Sequence, residues 1–160
     1  MRRVTGLLLC ALALPAGAGG FPDPGSRDLC PVCGMVVSKY PAWTATLVYQ
    51  DGSARHFDGA KDLFKYLFDT KRYEPARGHR ATDIARIAVT EYYGLQRIDA
   101  RQAWFVVGSD MLGPMGHELI PLASRADAEE FLRDHQGRRI LRFDEVKPGL
   151  PQSLDAGRFD

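Results

Sequence analysis

Apolar positions along this chain recur in one order, and they do so twice. Thr44 to Tyr49 (TATLVY) is β-prone, Asp51-Gly52 signals a hairpin turn, and Ala54 to Phe57 returns as a second strand. Lys61 to Phe68 (KDLFKYLF) places Leu63, Phe64, Leu67 and Phe68 on one helical face, with Asp58 as a candidate cap. After a polar insertion, Ile84 to Tyr92 reads as a strand. The second half repeats this: strand over Trp104 to Val107, a Gly/Pro-broken loop over Met111 to Gly116, return strand over Glu118 to Leu122. Pro121 limits that return strand to an edge or an end. A helix over Ala126 to His135 turns Phe131 and Leu132 inward, and Ile140 to Val146 closes as a strand. The expected fold is therefore α+β, with two tandem similar ββαβ units packed as one small domain. Unit one spans about 28–93 and unit two about 102–147, within a domain of 28–147.

The ends read differently. Met1-Arg2-Arg3, an apolar run from Val4 to Leu14, Pro15 and the small residues Ala16-Gly17-Ala18 have the form of a signal peptide over 1–18. That run falls short of the ~20 residues a membrane-crossing helix needs. Export, to a periplasm or similar space, is the expected destination. Cys10 lies early in the run behind a large Leu9, so a lipid anchor is not expected. Gly19 to Arg27 (GGFPDPGSR) reads as a flexible tether, and residues 148–160 as a loose tail. Asp69 to Arg86 mixes charges of both signs and reads as a solvated excursion rather than a docking loop.

The formal net charge is +1, and loss of Arg2 and Arg3 with residues 1–18 brings it to −1. Phosphate neutralisation needs a basic surface, so this balance argues against nucleic acid. No nucleophile-and-base pairing, paired-carboxylate motif or phosphate-binding glycine loop is present, and no enzymatic activity is expected.

Sulfur is distributed unevenly. Beyond residue 18, every Cys and Met lies in Cys30-Pro31-Val32-Cys33-Gly34-Met35 or in Met111-Leu112-Gly113-Pro114-Met115-Gly116-His117. Methionine ordinarily scatters through a core as filler. Thiolate and thioether sulfur together are soft ligands that suit Cu(I). Cys33-Gly34-Met35 and Met115-Gly116-His117 share a pattern, two ligand-capable side chains at i and i+2 about a glycine. Two such tripeptides facing one another would supply a thiolate, two thioethers and an imidazole. Cys33, Met35 and Met115 are the candidate ligands, and Cys30 and His117 are secondary ones. Met111 and His56 have weaker settings, and Met35 beside Val36 and Val37 could also simply pack.

The segment Cys33-Gly34-Met35, followed by Val106-Val107-Gly108-Ser109, Gly113-Pro114-Met115-Gly116, Glu118 and Pro121, resembles the NosL family. These are periplasmic copper-binding accessory proteins for nitrous oxide reductase, an enzyme of denitrification. The resemblance covers about Asp28 to Val146. It implies a fold of two similar ββαβ units and Cu(I) binding by Cys33, Met35 and Met115. It also implies a copper chaperone that delivers metal to the reductase's copper-sulfide centre, through a membrane complex. Many members are lipoproteins, and Cys30 is an addition to the shorter Cys-x-Met form of the motif.

Two other readings remain. Cys30 and Cys33 could act as a thiol–disulfide oxidoreductase, which requires a low-pKa thiol at a helix amino terminus. A zinc-stabilised binding module could use Cys30, Cys33 and two histidines, such as His56 and His117, brought together by the fold.

Overall fold

A computed structural model describes residues 20–76 and 78–159. The expected signal peptide and Gly19 lie outside the described residues. The chain forms β1 (Ala45–Tyr49), β2 (Ala54–Phe57), α1 (Ala60–Phe68), α2 (Thr70–Tyr73), β3 (Ile84–Thr90) and β4 (Arg97–Asp99). It continues with β5 (Trp104–Val107), β6 (Leu112–Gly113), β7 (Gly116–His117), β8 (Ile120–Leu122), α3 (Arg125–Asp134), β9 (Arg139–Arg142) and α4 (Leu150–Asp155).

The repeat is visible in the topology. The first sheet has the order β2-β1-β3-β4 and the second β8-β5-β9. In each, the unit's first strand is central and pairs antiparallel with the other two. Helices α1 and α3 fill the same place between the second and last strands of their units. The fold is thus mixed α and β in a small domain, as expected. Arg97–Asp99, which falls between the expected units, joins the first sheet as β4. Residues 112–117, read as a loop, form a separate hairpin with Leu112 opposite His117.

The two units share an interior. The WFVV run of β5 is continuous in apolar character because both faces of its sheet are covered. Phe105 and Val107 join the core that holds Leu47, Phe57, Leu63 and Phe64, whereas Val106 joins Ile120, Leu122 and Phe131 under α3. Phe64 on α1 meets Phe105 edge-on, with ring centroids 5.4 Å apart. Helix α1 therefore lies between the sheets, and every residue from Ala60 to Tyr66 is buried. Ser124 caps α3, accepting from the Asp127 N–H at 3.1 Å.

Three segments depart from the sequence reading. The tail is not loose: residues 150–155 form α4, and Leu150 and Leu154 are buried in the shared core. Gly149, at φ 95°, supplies the left-handed turn that admits this helix. The described part of the tether is held to the first sheet, with the Arg86 guanidinium 5.0 Å over the Phe21 ring and Arg97 paired with Asp23 at 3.3 Å. The polar excursion is also anchored. Glu74 accepts from the Tyr66 hydroxyl at 2.9 Å and pairs with Arg55, and His79 stacks on Tyr49 at 3.9 Å. In all three cases isolated aromatic or aliphatic residues found partners that only the folded chain supplies.

Leu63→Ala removes a fully buried side chain from the centre of α1. It should lower unfolding free energy by about 2–5 kcal/mol in chemical denaturation. A loss below ~1 kcal/mol would contradict the central placement of this helix.

Candidate metal centre

The amino end of α1 is where the chemistry collects. Cys30 to Met35 form a tight turn in which Cys30 N–H donates to the Met35 carbonyl and Gly34 N–H to the Cys30 carbonyl, both at 2.8 Å. Gly34 takes φ 78° there, a conformation a side chain would strain. An isolated bridge between Leu29 and Val36 closes the turn at its base. This geometry aims both cysteine side chains at α1. The Cys30 thiol donates to Asp62 Oδ2 at 3.4 Å and the Cys33 thiol to Asp58 Oδ1 at 3.2 Å. Donor atoms of Cys30, Cys33, Asp58 and Asp62 all lie within 4.8 Å of one another.

Both thiols are free. Burial pushes the Cys30 thiol well above its ordinary range, and the Asp62 charge adds to this. Burial also pushes Cys33 up, to about 12, helped by its hydrogen bond to Asp58 and opposed by the Met35 backbone. The site therefore holds its protons, and a cation binding there would have to displace them. Cys30, Asp58 and Asp62 are closed to solvent while Cys33 is half-buried, so Cys33 is the point of access. Asp58 Oδ2 is buried with no hydrogen-bond partner among the described residues. An unpartnered buried carboxylate oxygen beside two thiols fits a site that receives a cation.

Helix α1 opens without a side-chain cap of its own. Gly59 is its N-cap, and the carboxylate of Glu118, from the segment between β7 and β8, accepts from the Lys61 N–H instead. Leu119 N–H donates to the same oxygen at 3.0 Å. A Cβ on Gly59 would overlap Glu118 Oε2, so a side chain there would displace this carboxyl group. Burial pushes the Glu118 carboxyl up to about 8, against the Lys61 charge and the two N–H donors that favour ionisation.

The other candidate ligands divide. Met35 is half-buried at the end of the cysteine turn. Met115 is exposed at the tip of the β6–β7 hairpin, and its carbonyl accepts from Lys61 Nζ at 2.6 Å, which fixes that hairpin to α1. His117 packs edge-on against Phe159 at 4.9 Å, and its Nδ1 is buried without a hydrogen-bond partner among the described residues. Met111 packs against the α3 core. His56 bonds Thr46 Oγ1 through Nδ1 at 3.0 Å, within the first sheet. Among the described residues the fold thus gathers carboxylates around the cysteine pair, and the histidines of the zinc reading are not part of that cluster. Asp58 and Asp62 were not sequence candidates for ligation. Their signal was two acidic residues bracketing a helix start, Asp58 just before the Gly59 cap and Asp62 in the first turn, where negative charge is favoured.

Fold and site together define a small α+β protein presenting two free thiols and two carboxylates at the end of a buried helix. The chain belongs to the NosL family, whose model matches residues 23–151. It is 31% identical over 125 residues to the copper-binding lipoprotein NosL of Stutzerimonas stutzeri, a match covering 78% of this chain and 65% of that protein. The chain thus spans a little under two thirds of that relative's length. The crystal structure of the copper chaperone NosL from Shewanella denitrificans matches with a TM-score of 0.67 at 26% identity, covering 81% of this chain and 96% of that one. The solution structure of apo-NosL from Achromobacter cycloclastes is more distant, with a TM-score of 0.46 and 22% identity over 69% of this chain and 87% of that one. The expectation of an unanchored protein is at odds with the lipoprotein name of the Stutzerimonas relative. No helix among the described residues is long and apolar enough to cross a membrane.

Two outcomes test these electrostatics. In metal-free reduced protein, iodoacetamide should alkylate Cys33 at least about tenfold more slowly than free cysteine near pH 7, because little thiolate is present. An equal rate would contradict the raised pKa. Glu118 keeps its proton to a higher pH in the folded than in the unfolded chain. Its contribution is therefore full below the unfolded carboxylate value and is lost as pH rises through about 8. Glu118→Gln lacks that loss. Its melting temperature relative to wild type should rise between about pH 5 and about pH 9, and a pH-independent difference would sink the assignment.

Proposed function

We propose that this protein is an exported Cu(I) chaperone in which Cys33, Met35 and Met115 hold the metal and Cys30 and His117 are further donors. The observation that carries the reading is the shared anchorage on α1. The cysteine turn bonds to Asp58 and Asp62 at the start of that helix, and Lys61 of the same helix holds the Met115 carbonyl. Soft sulfur at such a site selects Cu(I) over harder divalent ions. Half-exposed Cys33 and exposed Met115 keep the ion within reach of an acceptor, as a carrier requires. The names of the relatives, a copper-binding lipoprotein and a copper chaperone, support the same cargo.

Delivery is to a copper-accepting protein, with nitrous oxide reductase, through a membrane complex, as the expected recipient. Export to the periplasm follows from residues 1–18, and the near-neutral surface leaves nucleic acid out of the function. The oxidoreductase reading lacks support at its central requirement, because both thiols are pushed up rather than down. Helix α1 does meet the cysteines with its amino end, but burial, with Asp62 and Asp58 adding to it, holds both thiols protonated.

Anaerobic titration of protein spanning residues 19–160 with Cu(I) against a chromophoric chelator tests the proposal. Wild type should bind one equivalent tightly, Cys33→Ala should lose at least about a hundredfold in affinity, and Met115→Ala about tenfold. Binding that neither substitution alters would overturn it.

A further inference from the structure

We infer that the carboxy-terminal helix α4 is a clasp, with Asp155 and Lys61 as positioning residues that set the Met115 hairpin against the cysteine site. The inference rests on the copper reading above, and it concerns a residue that lies beyond the 23–151 family match.

The hairpin cannot hold its own place. Strands β6 and β7 have two residues each and pair only with one another. Isolated two-stranded hairpins are marginal in water even when longer. Glu118 ties the base of this one to α1 through the Lys61 N–H, and beyond that base two contacts hold its arms. Lys61 Nζ donates to the Met115 carbonyl at 2.6 Å, and His117 packs edge-on against Phe159 at 4.9 Å. Both contacts depend on the carboxy-terminal segment.

The first depends on it through charge. The Lys61 side chain is fully buried, and its ammonium pairs with Asp155 Oδ1 at 3.0 Å. Asp155 uses its second oxygen to hold Lys65 at 2.8 Å, and Lys65 also pairs with Asp62 at 3.0 Å. One carboxylate on α4 thus fastens two lysines on successive turns of α1, on the helix whose amino end carries the site. A buried ammonium left without its carboxylate is costly and seeks another. Asp62, which already pairs with Lys65, and Asp58 are the site carboxylates at the amino end of the same helix. Without Asp155, Lys61 is drawn toward the site carboxylates and away from the Met115 carbonyl. Leu150 and Leu154, buried against α1, supply the apolar seating that keeps Asp155 in reach.

The clasp therefore governs how firmly the Met115 arm stays closed. Asp155 is 43% exposed, so it can be changed without opening the core. In metal-free Asp155→Asn, amides of residues 112–117 should exchange with deuterium at least about fivefold faster, with the strands of both sheets unchanged. Transfer of Cu(I) from that variant to a chromophoric chelator should be about three- to tenfold faster than from wild type. Asp155→Glu should restore both rates toward wild type. Ser124→Ala, which removes the cap of α3 on the far side of the second sheet, serves as the control for general loss of stability and should alter neither. Unchanged exchange at 112–117 in Asp155→Asn overturns the clasp. So does faster exchange with unchanged copper transfer, or equal effects in Ser124→Ala. Failure of wild type to bind Cu(I) strikes the copper reading instead and is seen before any clasp variant is made.

Discussion

The amino end of α1 has to be buried and still have its N–H groups satisfied, and the rest of the molecule is arranged around that constraint. A helix lying between two sheets cannot leave its first turn to water. Gly59 has no side chain to cap it, so a carboxylate from the other unit does so. Glu118 enters where a Cβ on residue 59 would stand, which makes the close approach and the glycine mutually dependent. The same contact ties the β7–β8 connection to α1 and joins the two ββαβ units where each would otherwise end in an unsatisfied polar group.

Three acidic side chains converge on that one helix end, and burial together with two of them, Asp58 and Asp62, sets the character of the cysteines. Asp58 and Asp62 accept the two thiol protons, Glu118 accepts the backbone N–H of Lys61, and Lys61 and Lys65 balance the charge from inside the helix. Protonated thiols react slowly with oxidants and electrophiles, so in the copper reading the pair stays inert until a soft cation displaces its protons. Cys30 is closed to solvent and Cys33 half-open, so the pair can be reached only from the Cys33 side. A carrier benefits from such a site, because the empty form is inert and the loaded form remains reachable from one side.

Much of the fold could be read from the chain. The order of strand, strand, helix and strand in each half appears in the structure with the same internal strand order in both sheets. Of the apolar face read for α1, Leu63 and Phe64 are buried and Leu67 half-buried, while Phe68, at the helix end, is exposed. What escaped was the structure carried by isolated residues. Arg97–Asp99 has no strand pattern of its own and becomes β4 because β3 offers it an edge. Residues 150–155 carry only two apolar anchors, too few for a periodicity signal, yet both are buried. Of the site, the cysteine pair and the Met115 loop were legible as sulfur clusters. Asp58 was read as a helix cap, a place that Gly59 takes, and Asp62 was not singled out.

The sequence by itself determined the repeat, the class of fold and the gathering of sulfur into two short segments, since each depends on local period, turn residues and composition. Only the tertiary structure decided which groups face the sulfur. Asp58 and Asp62 meet Cys30 and Cys33 across 25 to 32 residues of chain, and Lys61 meets Met115 across 54. Contacts at that separation leave no local signal. They form because burying α1 forces its polar groups to find partners wherever the fold can bring them.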